Sequence, residues 1–189
     1  MKIESVDAKT GSLALKEWAV ICQALVEGKQ TILFTKGSAE EREFLREGQE
    51  FLLYPSLERQ TREDIKPECQ DFFRRYTSFD EEEFIPISHC GRIIKAVPVP
   101  SLQSLNALSP RHIWANAYLE KLWNEKPEKA LQLLVVRVYK LSKGRFHDYE
   151  EQYAGSKSWV SLTETIPTEN AKPVLTDADF QKKVAEFKV

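Results

Sequence analysis

The sequence predicts an α+β domain built around a small mixed or partly closed β-barrel with flanking helices. Apolar residues recur at helical spacing in some segments and alternate or run together in others, so both element types are expected. Glycine, proline and polar clusters separate these segments at short intervals, and no internal repeat or low-complexity tract interrupts them. Hydrophobic residues make up 42% of the 189 and charged residues 30%, the balance of a chain able to bury a core. The expected organisation is one domain over residues 1–165, followed by a linker and a docking C-terminal helix over 166–189.

Residues 13–27 read as the first helix. Leu15, Trp18, Cys22 and Leu25 fall at helical spacing, and Gly28 can take the left-handed backbone that ends a helix. A strand follows, in which Ile32 and Phe34 alternate. Residues 50–54 form a second short strand, halted by Pro55 and able to pair with the first as a hairpin. Pro67 opens a helix whose Cys69, Phe72, Phe73 and Tyr76 share one face, with Arg74 and Arg75 near its end. Residues 80–83 read as a solvated acidic turn.

Residues 84–89 and 92–99 look extended, with Pro86, Pro98 and Pro100 confining them to edges, ends or bulges. Ser109 and Pro110 supply a cap and a first turn for a helix through Ile113, Trp114, Ala117, Tyr118 and Leu122, ended by Pro127. Residues 131–141 are apolar on both faces, as a central strand requires. A further strand spans 158–162 and a polar linker 167–173. Thr176 with Asp179 caps a short helix that docks through Phe180, Val184 and Phe187.

Twenty-seven Lys and Arg against 29 Asp and Glu leave a formal charge of −2, so any attraction to polyanions must come from a local patch. Cys22, Cys69 and Cys90 are odd in number and widely spaced, the pattern of reduced thiols rather than a disulfide or zinc framework. The acidic N-terminus lacks a secretory core and no apolar run approaches a membrane span, so a cytoplasmic location and no membrane partner are expected.

Lys16, Lys29 and Lys36 flank the first corner. Phosphate recognition wants such donors beside turn backbone N–H groups, which makes Lys16, Lys36, Gly37 and Arg42 candidate ligand contacts. Arg137, a cation inside an apolar strand, must reach an edge, pair with an acid or line a cavity. Among Trp18, Tyr54, Trp114, Trp123 and Trp159, which favour core packing, Tyr54 beside Pro55 is the aromatic placed at a rim where a base could stack.

His89 and Cys90 are adjacent in a strand and point to opposite faces, so with Cys69 and His112 they make no tetrahedral centre; no metal or other cofactor is expected. Glu41, Glu43, Glu50 and Glu58 show no metal-binding spacing. The favoured function is noncatalytic binding of RNA, DNA or a nucleotide-like ligand. A metal-dependent nuclease or other hydrolase, and a protein-interaction module with a protein partner, stand as alternatives.

The chain resembles the bacterial and archaeal family catalogued as domain of unknown function 1802. The likeness rests on residues 15–19 (Leu-Lys-Glu-Trp-Ala), Lys36-Gly37, residues 51–55 (Phe-Leu-Leu-Tyr-Pro) followed by Gln60, and residues 110–114 (Pro-Arg-His-Ile-Trp). It continues through residues 134–139 (Leu-Val-Val-Arg-Val-Tyr) and Tyr153-Ala154-Gly155 with Ser158-Trp159-Val160. Thr35 and Arg59 stand where the family pattern favours Arg and His. The resemblance implies an accessory to a nucleic-acid-processing or restriction-type system. A second, fold-level similarity, over residues 16–34, is to PUA-like and ASCH barrels, which implies RNA or modified-base binding beside Lys16, Lys29 and Lys36.

Overall fold

The computed structural model describes residues 10–37, 41–75, 83–155 and 157–185. Its elements run β1 (Thr10–Trp18), α1 (Ala19–Val26), β2 (Ile32–Thr35), β3 (Glu50–Ser56), α2 (Gln70–Arg75), β4 (Phe84–Pro98), α3 (Leu102–Ala107), α4 (Asn116–Asn124), β5 (Gln132–Asp148), β6 (Trp159–Pro167), β7 (Lys172–Pro173) and α5 (Asp177–Ala185). The expected α+β class is present. The sheet order is β2-β5-β4-β3-β1-β6, with β7 also on β5, and the sheet is not closed into a barrel. β1 and β3 run parallel; the other pairs are antiparallel.

The sheet has a core on each face. One packs Leu15, Leu33, Phe51 and Val136 under the helices, with Ile21, Leu25, Leu119 and Phe180. The other gathers Ala14, Leu52, Tyr54, Ile85, Ile87, Tyr139, Tyr153 and Val160. β1 serves both, because Ala14 and Leu15 point to opposite faces as neighbours in a strand must.

That double burial corrects the first expected helix. Residues 13–18 are strand, paired with β3 on one side and β6 on the other, and the helix begins only at Ala19. Leu15 and Trp18 lie on β1 and Cys22 and Leu25 on α1, so the helical spacing of the four runs across a strand-to-helix corner. α1 ends as expected: Gly28 has φ +66°, and the N–H groups of Gly28 and Lys29 donate to Leu25 and Ala24 carbonyls at 3.0 and 2.8 Å.

The expected hairpin is replaced by two separate pairings. β2 lies against β5, with Ile32 opposite Val135, whereas β3 lies between β4 and β1. β3 continues through Pro55 to Ser56, since its pairing with β4 stops at Leu52 and the missing proline N–H disturbs no ladder there. The segments at 84–89 and 92–99 form one strand, β4, with register shifts between Ile87 and His89 and between Ile93 and Lys95. The central-strand expectation at 131–141 holds, and β5 extends it to Asp148.

The helix expected from Ser109 starts later. Ser109–Arg111 is a 3-10 turn, and Trp114 forms a β-bridge with Ile65 before α4 begins at Asn116. Tertiary bonds hold the intervening stretch extended. The Ile113 N–H donates to Gln30 Oε1 at 3.1 Å, Lys66 N–H to the Ile113 carbonyl at 2.9 Å, and Ala115 N–H to the Asp64 carbonyl at 2.8 Å. α3, capped by Ser101 through its bond from Ser104 N–H, is an element that the sequence pattern does not predict. Within the expected linker, Lys172–Pro173 pairs with β5. α5 is capped as expected, Asp179 N–H donating to Thr176 Oγ1 at 3.2 Å. The expectations at Tyr76, residues 80–82 and Phe187 lie outside the described residues.

Candidate functional site

Of the cations expected to gather at the first corner, Lys16, Lys36 and Arg137 are committed to internal partners. The Lys16 side chain is 6% exposed; its Nζ sits 3.0 Å from Glu58 Oε1 and donates to the Tyr153 and Gly155 carbonyls at 2.8 and 3.2 Å. Lys36 Nζ donates to the carbonyls of Trp123, Glu125 and Lys126, closing the C-terminal end of α4, and burial lowers its pKa. Arg137 is buried and paired through Nη2 with Asp177. Arg42 is exposed on a 3-10 turn, and Gly37 donates its N–H to Thr35 Oγ1.

Tyr54 is not at a rim. It is fully buried, its ring 5.9 Å from that of Tyr153, because the parallel pairing of β1 and β3 encloses this stretch of β3. Trp114 and Trp159 are core residues too, whereas Trp18 and Trp123 are partly exposed. Among the described residues no group of three His, Cys, Asp or Glu side chains is placed to hold a metal ion, so the hydrolase alternative has no ligand set there. His89 hydrogen-bonds Ser88 Oγ at 2.8 Å, and burial with nearby Lys140 pushes its pKa down to about 4. Burial raises the neighbouring Cys90 thiol to about 12, the opposite of an activated thiolate.

A different surface carries positive charge without an acidic ion-pair partner among the described residues. β4 and β5 continue past the pairing of β4 with β3 as a two-stranded ribbon, Phe84 opposite Asp148, Pro86 opposite Phe146 and Ile87 opposite Arg145. Inside it, Leu141 to Gly144 stand opposite the single residue Ser88, so β5 bulges outward. Ile85, Ile87, Leu141 and His147 face inward, while residues 142–146 are all exposed. Lys140, Lys143 and Arg145 lie on this segment and Lys172 of β7 is paired opposite Lys140. Among the described residues none of these four has an acidic side chain within ion-pair distance.

Phe146 completes the surface. Its side chain is 73% exposed, the most exposed large apolar residue described, with the Phe84 ring edge-on at 4.9 Å as its support. An exposed ring costs apolar hydration and offers a flat face for stacking. A sequence signal exists in residues 140–147, Lys-Leu-Ser-Lys-Gly-Arg-Phe-His, four basic or imidazole side chains and an aromatic with no acid. It escapes a reading for apolar pattern, because that pattern ends at Leu141.

A family model described as domain of unknown function (DUF1802) matches residues 14–186, which includes the ribbon and the first corner. The chain belongs to the DUF1802 family. No curated protein matches it. Among solved structures it is similar to ASCH from Zymomonas mobilis, at 9% identity and TM-score 0.46 over 92% of this chain and 94% of that one. It is similar also to a tyrosine-to-phenylalanine mutant of the Zymomonas mobilis ASCH protein, at 9% identity and TM-score 0.48 over 92% and 96%.

In this DUF1802 chain the residues that carried the family likeness tie the molecule together. Lys16 binds the backbone of Tyr153 and Gly155, joining two of the quoted segments. Gln60 Oε1 accepts the Val20 N–H at 3.3 Å, satisfying a donor in the first turn of α1. His112 is buried, its ring 5.6 Å from Phe34 and 5.7 Å from Trp114, and burial with nearby Lys66 lowers its pKa to about 3. Beside α1, Glu17 Oε1 accepts the Trp18 N–H at 2.7 Å while burial raises the carboxyl to about 7; the Trp18 ring lies 4.7 Å from that of Tyr118.

Proposed function

We propose that this DUF1802 protein binds single-stranded nucleic acid without catalysis, through the exposed face of the β4–β5 ribbon and the adjoining β7. The observation that carries the reading is the presence of Lys140, Lys143, Arg145 and the exposed Phe146 ring on one strand segment, with Lys172 paired opposite Lys140 and no acidic ion-pair partner among the described residues. Cations supply sequence-independent phosphate contacts, and an exposed aromatic ring stacks on an unpaired base whatever its identity. A duplex keeps its bases stacked inside, so the ring selects for single strands. The near-neutral total charge is compatible with this, because a local potential decides attraction. An accessory place beside a nucleic-acid-processing or restriction-type enzyme is the part of this reading drawn from the family resemblance.

The test replaces Lys143 and Arg145 together by Gln and measures binding of a fluorescent single-stranded RNA and a DNA of the same sequence. Loss of at least about tenfold in affinity with an unchanged melting temperature supports the assignment. Equal affinity for wild type and variant removes the ribbon as the binding face.

A further inference from the structure

On its outer side β5 is flanked by two different strands: β2 beside residues 132–135 and β7 beside residues 139–140. Arg137 lies in the interval between them. A small cleft, with room for about one water, occupies this gap, bordered by Gln30 and Thr31 before β2, Val174 and Leu175 after β7, Leu25 of α1, and Phe180 of α5. α5 roofs it, held by Phe180 in the core and by the Arg137 to Asp177 ion pair.

The guanidinium in this pocket is incompletely used. Its side chain is 8% exposed, and it lies 5.1 Å from the Phe180 ring and 5.7 Å from that of Tyr139. Nη2 binds Asp177, yet Nε is buried with no acceptor. A planar guanidinium takes a tetrahedral or planar oxyanion through Nε and Nη2 together, a geometry one carboxylate oxygen on Nη2 does not fill. The resident partner is also weakly held, since the Asp177 side chain is 55% exposed and therefore largely hydrated.

We propose that Arg137 anchors a phosphate-binding pocket beneath α5, in which Asp177 is the resident occupant that an incoming phosphate group displaces. The ligand engages Nε and Nη2, and Asp177 turns outward to water. The pocket is distinct from the ribbon face and does not depend on nucleic-acid binding there. A competing internal carboxylate lowers apparent affinity by the fraction of time it holds the site, so its removal raises affinity by the inverse of the free fraction.

The test follows the Arg137 Nε–H resonance by NMR while inorganic phosphate is added to the full chain. Asp177→Asn is expected to bind phosphate at least about tenfold more tightly than wild type, the gain for a site held nine-tenths of the time. Arg137→Lys, which keeps the charge but loses the two-point geometry, is expected to lose that gain when placed on the Asp177→Asn background, read from backbone amides of β5. Asp177 is exposed, so its substitution is expected to leave the fold intact, and the Asp177→Asn titration decides by itself should the Lys variant fail to fold. No tightening in Asp177→Asn, or an equal tightening towards acetate, overturns the phosphate assignment.

Discussion

Lys140 of β5 stands directly opposite Lys172 of β7, two like charges at one position of an antiparallel pair. Such a pair destabilises a sheet by roughly 0.2–1 kcal/mol relative to a neutral one. Lys172→Glu is therefore expected to raise the melting temperature slightly while weakening single-strand binding. Improved folding with impaired binding, measured on one variant, separates a binding role for this pair from a structural one.

Phe146 makes the complementary prediction. With its side chain mostly in water, Phe146→Ala is expected to change unfolding free energy by less than about 0.5 kcal/mol. Loss of one stacked base costs about 1–3 kcal/mol, so binding of single strands weakens about 5- to 150-fold. Fluorescence anisotropy and a urea titration read the two effects separately.

Lys16 is expected to behave in the opposite way. Its ammonium is buried against Glu58 and two carbonyls, so Lys16→Met removes three interactions at once and is expected to cost about 3 kcal/mol of stability. Folded Lys16→Met protein is expected to bind single strands as wild type does. Chemical denaturation and a binding assay at low temperature check both halves.

Glu17 and His112 contribute to the pH dependence of stability with opposite signs. Glu17 holds its proton up to about 7 in the folded chain but loses it near 4.5 when unfolded. Between those values the folded state carries the extra proton, so stability falls as pH rises through the interval, by at most about 3 kcal/mol. His112 is the reverse: unfolded it takes a proton below 6.5, folded only near 3, so its contribution is lost as pH falls from 6.5 towards 3. Glu17→Gln, which keeps the acceptor for Trp18 N–H, is expected to raise the melting temperature at about pH 8. His112→Phe is expected to reduce the loss on the acid side. Melting curves across this range test each sign.

The elements legible in the sequence are those whose burial is written into local pattern. β5 shows itself by apolar residues on both faces, and α5 by the Thr176 and Asp179 cap with Phe180 inside. β1 imitates a helix because Leu15 and Trp18 stand three apart and continue the spacing of Cys22 and Leu25 in α1, and only the pairings with β3 and β6 settle the conformation. Tyr54 looks exposed beside Pro55 until the parallel neighbour strand encloses it. The partners of Lys16, Lys36 and Arg137 lie 40 or more residues away along the chain, so no local pattern discloses that these cations are already taken. The ribbon cations escape for a plainer reason, being averaged away in a chain of nearly balanced charge.

The salt dependence of single-strand binding tests the ribbon most directly. Three or four phosphate contacts from Lys140, Lys143, Arg145 and Lys172 predict that log K falls against log salt with a slope of about −2 to −3. In the protein with Lys140, Lys143 and Arg145 all changed to Gln, the slope is expected to approach zero. A wild-type slope near zero, or one left unchanged by the triple substitution, would contradict the assignment.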